Sequence, residues 1–157
     1  MNVSLKPTKA FVITSWAALA LAVLAYGVGL LNANLQLNEK GYYLVVLLFG
    51  LFSVITLQKT VRDEMEGINV TALYKTMVIA GVIISCALML IGLWNASTLA
   101  LNEKGFFAIT FALGLFSAVV TQKNVRDLAF FESAEPQAEP HRPAKPASPA
   151  EPEHPQD

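Results

Sequence analysis

The sequence predicts an all-α transmembrane protein whose four helices form two tandem helical hairpins, followed by a disordered proline-rich tail. Of its 157 residues, 54% are hydrophobic and only 15% are charged, whereas soluble domains carry about 25% charged residues. Uncharged stretches of membrane-spanning length occur four times, and one long segment occurs twice. These three observations argue against an ordinary soluble globular protein.

The first predicted span covers about residues 11–31, inside a run of 29 uncharged residues that ends before Glu39. About 20 apolar residues cross the ~30 Å hydrocarbon layer, so this segment is long enough. A cleaved signal peptide is the alternative, because Lys6 and Lys9 precede the segment. The apolar region of such a peptide has only about 7–15 residues, so we expect the first span to remain in the mature protein.

The third span, about residues 76–94, lies in a run of 27 uncharged residues and is also long enough. The second and fourth spans, 42–58 and 106–122, lie in runs of only 18. A helix of 18 residues reaches about 27 Å, so lysines at its ends must extend towards water. Re-entrant segments are the alternative. Charges on both sides and the absence of proline favour full spans.

An internal duplication is the strongest pattern in the chain. LNEKGYYLVVLLFGLFSVITLQKTVRD (residues 37–63) aligns with LNEKGFFAITFALGLFSAVVTQKNVRD (residues 101–127), and 13 of the 26 positions from Asn38 onward are identical. We therefore expect two membrane repeats, 1–66 and 67–131. Each holds two spans, an even number, so the copies are parallel. Inverted repeats, which support alternating access in many transporters, are not predicted.

Small residues recur on one face of the first and third spans, and we expect them to form helix–helix contacts. Lipid provides no hydrophobic force between helices, so close approach at small residues stabilises their association. The faces are Ala18, Ala22, Ala25 and Gly29 in the first span and Gly81, Ser85, Leu88 and Gly92 in the third. Gly50 with Ser53, and Gly114 with Ser117, contribute the same feature to the other two spans.

The distribution of lysine and arginine predicts the orientation. Cytoplasmic loops retain positive charge. Nine basic residues fall on the side of the two termini and the central loop, whereas only Lys40 and Lys104 fall on the other side. We therefore expect both termini in the cytoplasm.

Residues 132–157 form a tail of different composition. Prolines stand at every third position from 140 to 155, which fits the three-residue turn of a polyproline II segment. Without an apolar cluster the tail cannot bury enough surface to fold. We expect a disordered cytoplasmic spacer, with a docking peptide as the alternative.

The motifs of the two repeats resemble the YiaA/YiaB family of bacterial inner-membrane proteins. Leu-Asn-Glu-Lys-Gly at a hairpin tip combines with Gln-Lys-x-Val-Arg-Asp at the other end of the following span, and the resemblance covers about residues 9–128. It implies a bacterial inner membrane and a topology of four spans. It brings no established activity, cofactor or catalytic residue.

Two sets of polar residues are kept in both copies, and the first lies at the expected cytoplasmic ends. An aspartate four residues after a lysine predicts a weak ion pair within the helix. The plainest role of these residues is membrane anchoring. The alternative is a twin basic site for anionic lipid headgroups or a phosphorylated ligand. The residues are Gln58, Lys59, Arg62 and Asp63 in the first copy and Gln122, Lys123, Arg126 and Asp127 in the second.

The second set lies at the hairpin tips: Asn32, Asn38, Glu39 and Lys40, with Asn95, Asn102, Glu103 and Lys104. Turn formation and helix capping are expected, with Gly41 and Gly105 supplying a positive φ or a close approach. The alternative is that both Glu–Lys tips meet in one external polar site. We expect Asn32 and Asn95 to bond between helices.

These patterns argue against several classes of function. The two histidines lie in the tail, and the one cysteine, Cys86, stands among apolar neighbours, so no catalytic residue, metal site or cofactor is predicted. The charge pattern excludes a nucleic-acid partner. We expect a non-enzymatic accessory protein that binds lipid or a membrane-protein partner. Its partner could also be a second copy of the chain in a homo-oligomer. The alternative is a small transporter or channel, which would need oligomerisation or a polar lining from Ser53, Thr56, Ser117 and Thr121.

Overall fold

The computed structural model describes residues 6–134, which contain four α-helices: α1 (Lys9–Asn32), α2 (Leu37–Met65), α3 (Ala72–Asn95) and α4 (Leu101–Ala134). Each helix is long and apolar enough to cross a membrane. The predicted all-helical fold with four spans is confirmed, and no strand occurs in this part of the chain. The tail from residue 135 onward lies outside the described residues.

Local capping determines where each helix begins, and it repeats between the copies. The side chains of Thr8 and Thr71 each accept the backbone N–H three residues later, at the starts of α1 and α3. The carboxylates of Glu39 and Glu103 each accept the backbone N–H three residues earlier, both at 2.7 Å, at the starts of α2 and α4. Each contact satisfies an amide that would otherwise lack a partner at a helix start.

α2 and α4 are continuous helices that extend well beyond the predicted apolar spans. α2 has 29 residues and α4 has 34, so both exceed the ~30 Å hydrocarbon thickness at about 1.5 Å per residue. Continuous helices of this length fit full spans rather than re-entrant segments. α4 also includes residues 132–134, which the sequence pattern assigned to the tail.

The two helices of one repeat are neighbours in the chain but not principal packing partners. α1 packs mainly along α4, α3 packs mainly along α2, and α2 and α4 meet in the middle of the bundle. The spatial order is therefore α1, α4, α2, α3. The first helix of each repeat packs mainly against the second helix of the other repeat.

Glycine on one helix facing an aromatic ring on the next explains this pairing. A Cβ atom built on Gly29 would lie 2.5 Å from Phe106, and one built on Gly92 would lie 2.6 Å from Tyr42. The two contacts occupy equivalent places in the two repeats. The Tyr42 hydroxyl also donates to the Leu88 carbonyl oxygen at 2.6 Å. The prediction that the small faces form helix–helix contacts is confirmed.

A pseudo-twofold axis passes between α2 and α4. Tyr43 and Phe107, which are equivalent positions, stack with ring centroids 5.8 Å apart. Gly50 contacts Phe111, and Gly114 lies close to Leu47, the residue equivalent to Phe111. The middle of the core is thus built from paired positions of the two copies.

Large apolar side chains cover the outside of the bundle. Trp94 is 87% exposed, and many leucines, isoleucines and phenylalanines of all four helices are exposed as well. Extensive apolar surface of this kind fits a lipid environment, where outward-facing apolar groups remain in contact with hydrocarbon.

Candidate functional site

The starts of α1 and α3, the loop 66–71 and the last turns of α2 and α4 lie at one end of the bundle, which we call the basic end. The opposite end, with the connections before α2 and α4, is the tip end. At the basic end, a cleft of about 300 Å³ opens between α2 and α4. We call it the twin basic cleft; its walls are Gln58, Lys59, Arg62, Gln122, Lys123, Arg126, Ile55, Val125 and Ala129.

The structure thus brings together the cations and amides that the sequence singled out in both copies. Equivalent positions stand in the same cleft: glutamine, lysine and arginine from α2 and the same three residue types from α4. The surrounding Ile55 and Val125 are apolar and partly exposed. Four cationic side chains therefore share one small space with an apolar rim.

The predicted ion pairs within each helix are confirmed. Lys59 Nζ lies 2.6 Å from Asp63, and Lys123 Nζ lies 2.7 Å from Asp127. The hydrogen bond with Asp63 raises the pKa of Lys59. Partial burial disfavours the charged form of Asp127, but hydrogen bonds from Lys123 and Arg126 outweigh it and lower the pKa of Asp127.

Both arginines have donor groups beyond those used by their carboxylate neighbours. Arg62 contacts Glu66 through Nε at 3.2 Å. Arg126 contacts Asp127 through Nε at 3.2 Å and Nη2 at 3.1 Å. A guanidinium carries five N–H donors in a fork that matches phosphate oxygens. The cleft can therefore bind a phosphate group while the ion pairs persist.

A second groove adjoins the twin basic cleft. It has a volume of about 580 Å³, and its walls include Arg62, Arg126, Glu66, Asp127, Met65 and Phe130. Met65 and Phe130 are largely exposed. The two arginines thus stand between the cationic cleft and a groove that has both acidic and apolar walls.

The tip end has two clefts, of about 330 Å³ and 420 Å³, in equivalent places. One contains the tip of the first repeat with the end of α3, and the other contains the tip of the second repeat with the end of α1. Glu39 lines the first and Glu103 lines the second, so each cleft holds one tip. The polar side chains are Asn38, Glu39, Tyr42, Tyr43 and Asn95 in one cleft and Asn32, Asn102 and Glu103 in the other.

Several polar groups of the tips bond to nearby backbone. Lys40 Nζ donates to the Leu31 carbonyl oxygen at 2.8 Å, and both glutamates cap helices as described above. Asn32 and Asn95 donate to carbonyl oxygens four residues earlier in their own helices. The expectation that these asparagines bond between helices is wrong, because each satisfies an acceptor in the last turn of its own helix.

The expectation for the tip glycines is also wrong. Gly41 and Gly105 lie inside α2 and α4, and a Cβ atom would meet nothing within 4 Å at either position. Among the described residues, positive φ occurs only at Gly67. The Asn-Glu-Lys-Gly motif starts a helix, and the turn lies before it, so neither glycine has a special backbone requirement.

Sequence reasoning missed a buried polar contact between α1 and α4. Asn124 is completely buried, and its Nδ2 donates to Ser15 Oγ at 3.0 Å. Its Oδ1 and the Oγ1 of Thr121 have no hydrogen-bond partner within residues 6–134. The sequence provides little signal, because position 124 is the variable position of the Gln-Lys-x-Val-Arg-Asp motif, where the first copy has Thr60.

Two of the four hydroxyl groups named for a polar path, those of Thr56 and Ser117, are instead used within their own helices. Thr56 donates to the Phe52 carbonyl oxygen and Ser117 to that of Leu113. Ser53 faces Gly81 on α3. In the described part of the chain, no cluster of three or more His, Cys, Asp or Glu side chains is arranged to hold a metal ion.

Comparison with known proteins gives matches that span the four helices. The model of the family described as the yiaA/B two helix domain matches residues 11–63 and 74–127. The chain is 52% identical over 128 residues to inner membrane protein YiaA of Escherichia coli, which covers 82% of this chain and 88% of that protein. It is 38% identical over 66 residues to the uncharacterized membrane protein YubF of Bacillus subtilis, covering 41% of this chain and 76% of YubF. No solved structure matches.

Proposed function

The chain belongs to the YiaA/B two-helix domain family and is a multi-pass inner membrane protein, and from this premise we propose that it is a non-enzymatic accessory protein whose twin basic cleft binds the phosphate headgroup of an anionic lipid. The observation that carries the proposal is that the two copies of the Gln-Lys-x-Val-Arg-Asp motif line the same cleft. Arginine and lysine are the side chains that bind phosphate best.

The surroundings of the cleft favour a membrane ligand. The apolar spans of α2 and α4 end where the glutamines of the cleft begin, so the cations lie at the level of lipid headgroups. The groups that pair with the lysines, Asp63 and Asp127, are attached one helical turn further along and are not among the walls of the cleft. The cleft surface is therefore cationic even though the neighbouring carboxylates offset much of the charge.

The orientation forms part of the proposal. We place the basic end in the cytoplasm, because seven of the nine basic residues within residues 1–131 lie at that end and positive charge is retained on the cytoplasmic side. Anionic lipids of the cytoplasmic leaflet attract such groups. Reporter fusions within the loop 66–71 test this placement, and an external signal there would contradict it.

Lipid retention by the purified protein tests the binding proposal. The full chain is extracted in neutral detergent and mixed with dioleoyl-phosphatidylglycerol or with zwitterionic dioleoyl-phosphatidylcholine, and native mass spectra report the lipids retained. We expect preferential retention of phosphatidylglycerol by the wild type and loss of the preference in the double variant Arg62→Gln/Arg126→Gln. Arg142→Gln is the matched control, since Arg142 belongs to the tail. Equal retention of both lipids by the wild type would contradict the proposal.

A small transporter or channel formed by an oligomer is the second candidate. The observation in its favour is the pair of buried acceptors, Asn124 Oδ1 and Thr121 Oγ1, that have no hydrogen-bond partner in the described residues. Buried polar groups inside a membrane often mark a pathway. Solute flux into liposomes that contain the purified protein tests this function. Flux above that of empty vesicles that is abolished in Asn124→Leu supports it. Flux equal to that of empty vesicles contradicts it.

A further inference from the structure

The pseudo-twofold axis of the bundle passes through the twin basic cleft. Its polar lining residues on α2 and α4 come in equivalent pairs: Gln58 with Gln122, Lys59 with Lys123, and Arg62 with Arg126. The same axis relates the stacked rings of Tyr43 and Phe107 in the core. The cleft therefore presents one amide–lysine–arginine triad twice, in two positions related by rotation.

We propose that this cleft binds a lipid that carries two phosphate groups joined by a short linker, with one phosphate at each triad. The inference rests on the proposed function and makes it more specific. A lipid with a single phosphate occupies only one triad and leaves the other without an anion. A diphosphate lipid places one negative charge beside each arginine, so the twofold arrangement of the ligand matches that of the cleft.

The placement of the cations, rather than their net charge, favours two phosphates over one. Asp63, Asp127 and Glu66 pair with the cations from outside the walls of the cleft. The cations stand as two lysine–arginine pairs, one on α2 and one on α4. A phosphate at each pair gives the unused N–H donors of both arginines an acceptor.

The apolar part of the walls favours a lipid over a soluble diphosphate. Ile55 and Val125 line the cleft and are 39% and 45% exposed. The adjoining groove adds the exposed side chains of Met65 and Phe130. Acyl chains or the glycerol backbone of a lipid can cover these groups, and burying apolar surface stabilises binding. A soluble diphosphate uses the cations and leaves the apolar rim exposed.

A competition experiment on the full purified chain tests this proposal. The protein in neutral detergent receives tetraoleoyl-cardiolipin and dioleoyl-phosphatidylglycerol at equal phosphate concentration, and native mass spectra report the retained lipid. We expect roughly tenfold preference for cardiolipin, the effect of about 1.4 kcal/mol. Arg62→Gln and Arg126→Gln are each expected to reduce the preference to near unity, and Arg142→Gln is expected to leave it unchanged.

Arg→Lys variants at the same two positions keep the charge and remove the bidentate fork, so they control for misfolding of the glutamine variants. We expect them to retain the native melting temperature and to lose part of the cardiolipin preference. A parallel arm adds inorganic pyrophosphate as a soluble competitor, which we expect to displace little cardiolipin at equal phosphate concentration.

The outcomes separate this inference from the proposed function. Equal retention of cardiolipin and phosphatidylglycerol, both above phosphatidylcholine, overturns the two-phosphate ligand and leaves the headgroup site standing. No retention of either anionic lipid above phosphatidylcholine overturns both. Complete displacement by pyrophosphate, or an unchanged preference in both glutamine variants, overturns a diphosphate lipid in this cleft.

Discussion

At the scale of single residues, the contact between Gly92 and the ring of Tyr42 shows how a side chain on one repeat determines what the other repeat can accommodate. The Tyr42 hydroxyl bonds to the Leu88 carbonyl oxygen, so the ring is held at both ends. Phe106 occupies the equivalent place against Gly29 without a hydroxyl group. The two halves of the bundle therefore differ in how easily this contact can adjust.

We expect Gly92→Ala to destabilise the protein more than Gly29→Ala. A Cβ at position 92 must displace a ring that is held by a hydrogen bond, with a cost of about 1–3 kcal/mol for overpacking. The Phe106 ring can move outward, so the cost at position 29 is smaller. Thermal unfolding in detergent provides the measurement. Gly27→Ala is the control, because nothing lies within 4 Å of a Cβ there; equal losses at all three positions would refute the argument.

The ion pair of Asp127 predicts a pH dependence. Its pKa is lowered, since Lys123 and Arg126 stabilise the charged form against partial burial. A lowered pKa contributes stability above the ordinary value of about 3.9, and the contribution is lost as the pH falls through the lowered value. We expect wild type to unfold at a higher temperature than Asp127→Asn at pH 7 and the gap to close below about pH 4. A gap that is unchanged at low pH would contradict this assignment.

At the scale of the elements, the loop between α2 and α3 depends on one backbone conformation. Gly67 has a φ of 77°, and its N–H and that of Ile68 donate to the carbonyl oxygens of Glu64 and Asp63. This is the hydrogen-bond pattern of a Schellman motif, which ends a helix through a left-handed residue. Lys75 on α3 then contacts Glu64 at 2.8 Å and connects the two helices across the loop.

We expect Gly67→Ala to lower the free energy of unfolding by about 1 kcal/mol, because a Cβ is strained in the left-handed region. Gly67→Asn should cost less, since asparagine tolerates this conformation better. Thermal unfolding of both variants beside Gly41→Ala, a helical glycine with free space around it, checks the prediction. Equal stability of the alanine and asparagine variants would count against it.

The helices could be predicted well from the sequence, because the length of an apolar run and the charges at its ends directly indicate a membrane span. All four spans, the repeat and the i, i+4 ion pairs could be derived from composition and spacing. The ends of α2 and α4 could not, because the helices continue through charged segments that a hydropathy pattern reads as loop. The partner of each helix could not be derived either: the small face of α1 indicates close packing, but the facing Phe106 lies in the other repeat.

The candidate site was predicted in part. The sequence identified the two basic motifs, whereas their convergence on one cleft depends on the contact between α2 and α4. Asn124 was missed because a single amide in a motif of charged residues gives no sign of complete burial. At the tips, the motif predicts both a turn and helix capping; the capping by Glu39 and Glu103 is confirmed, whereas the turn lies before the motif.

At the scale of the whole molecule, the packing of each repeat against the other predicts that the chain can be divided. Residues 1–66 and 67–157, expressed as two polypeptides, should associate in the membrane, because α1 needs α4 and α3 needs α2. Copurification through a tag on one fragment gives the measurement. The double variant Gly29→Leu/Gly92→Leu should reduce the amount of untagged fragment that copurifies, whereas Gly27→Leu should leave this amount unchanged. Independent behaviour of the two fragments would contradict the packing.

The pairing of α1 with α4 also constrains biogenesis. The chain is synthesised from its N-terminus, so α1 is made before α4, its principal packing partner. The most apolar 18-residue stretch of α1 has a higher mean hydropathy than that of α4. The helix that inserts before its partner is thus the more apolar of the two. α4 inserts last, when the helices that it packs against, α1 and α2, are already in the bilayer.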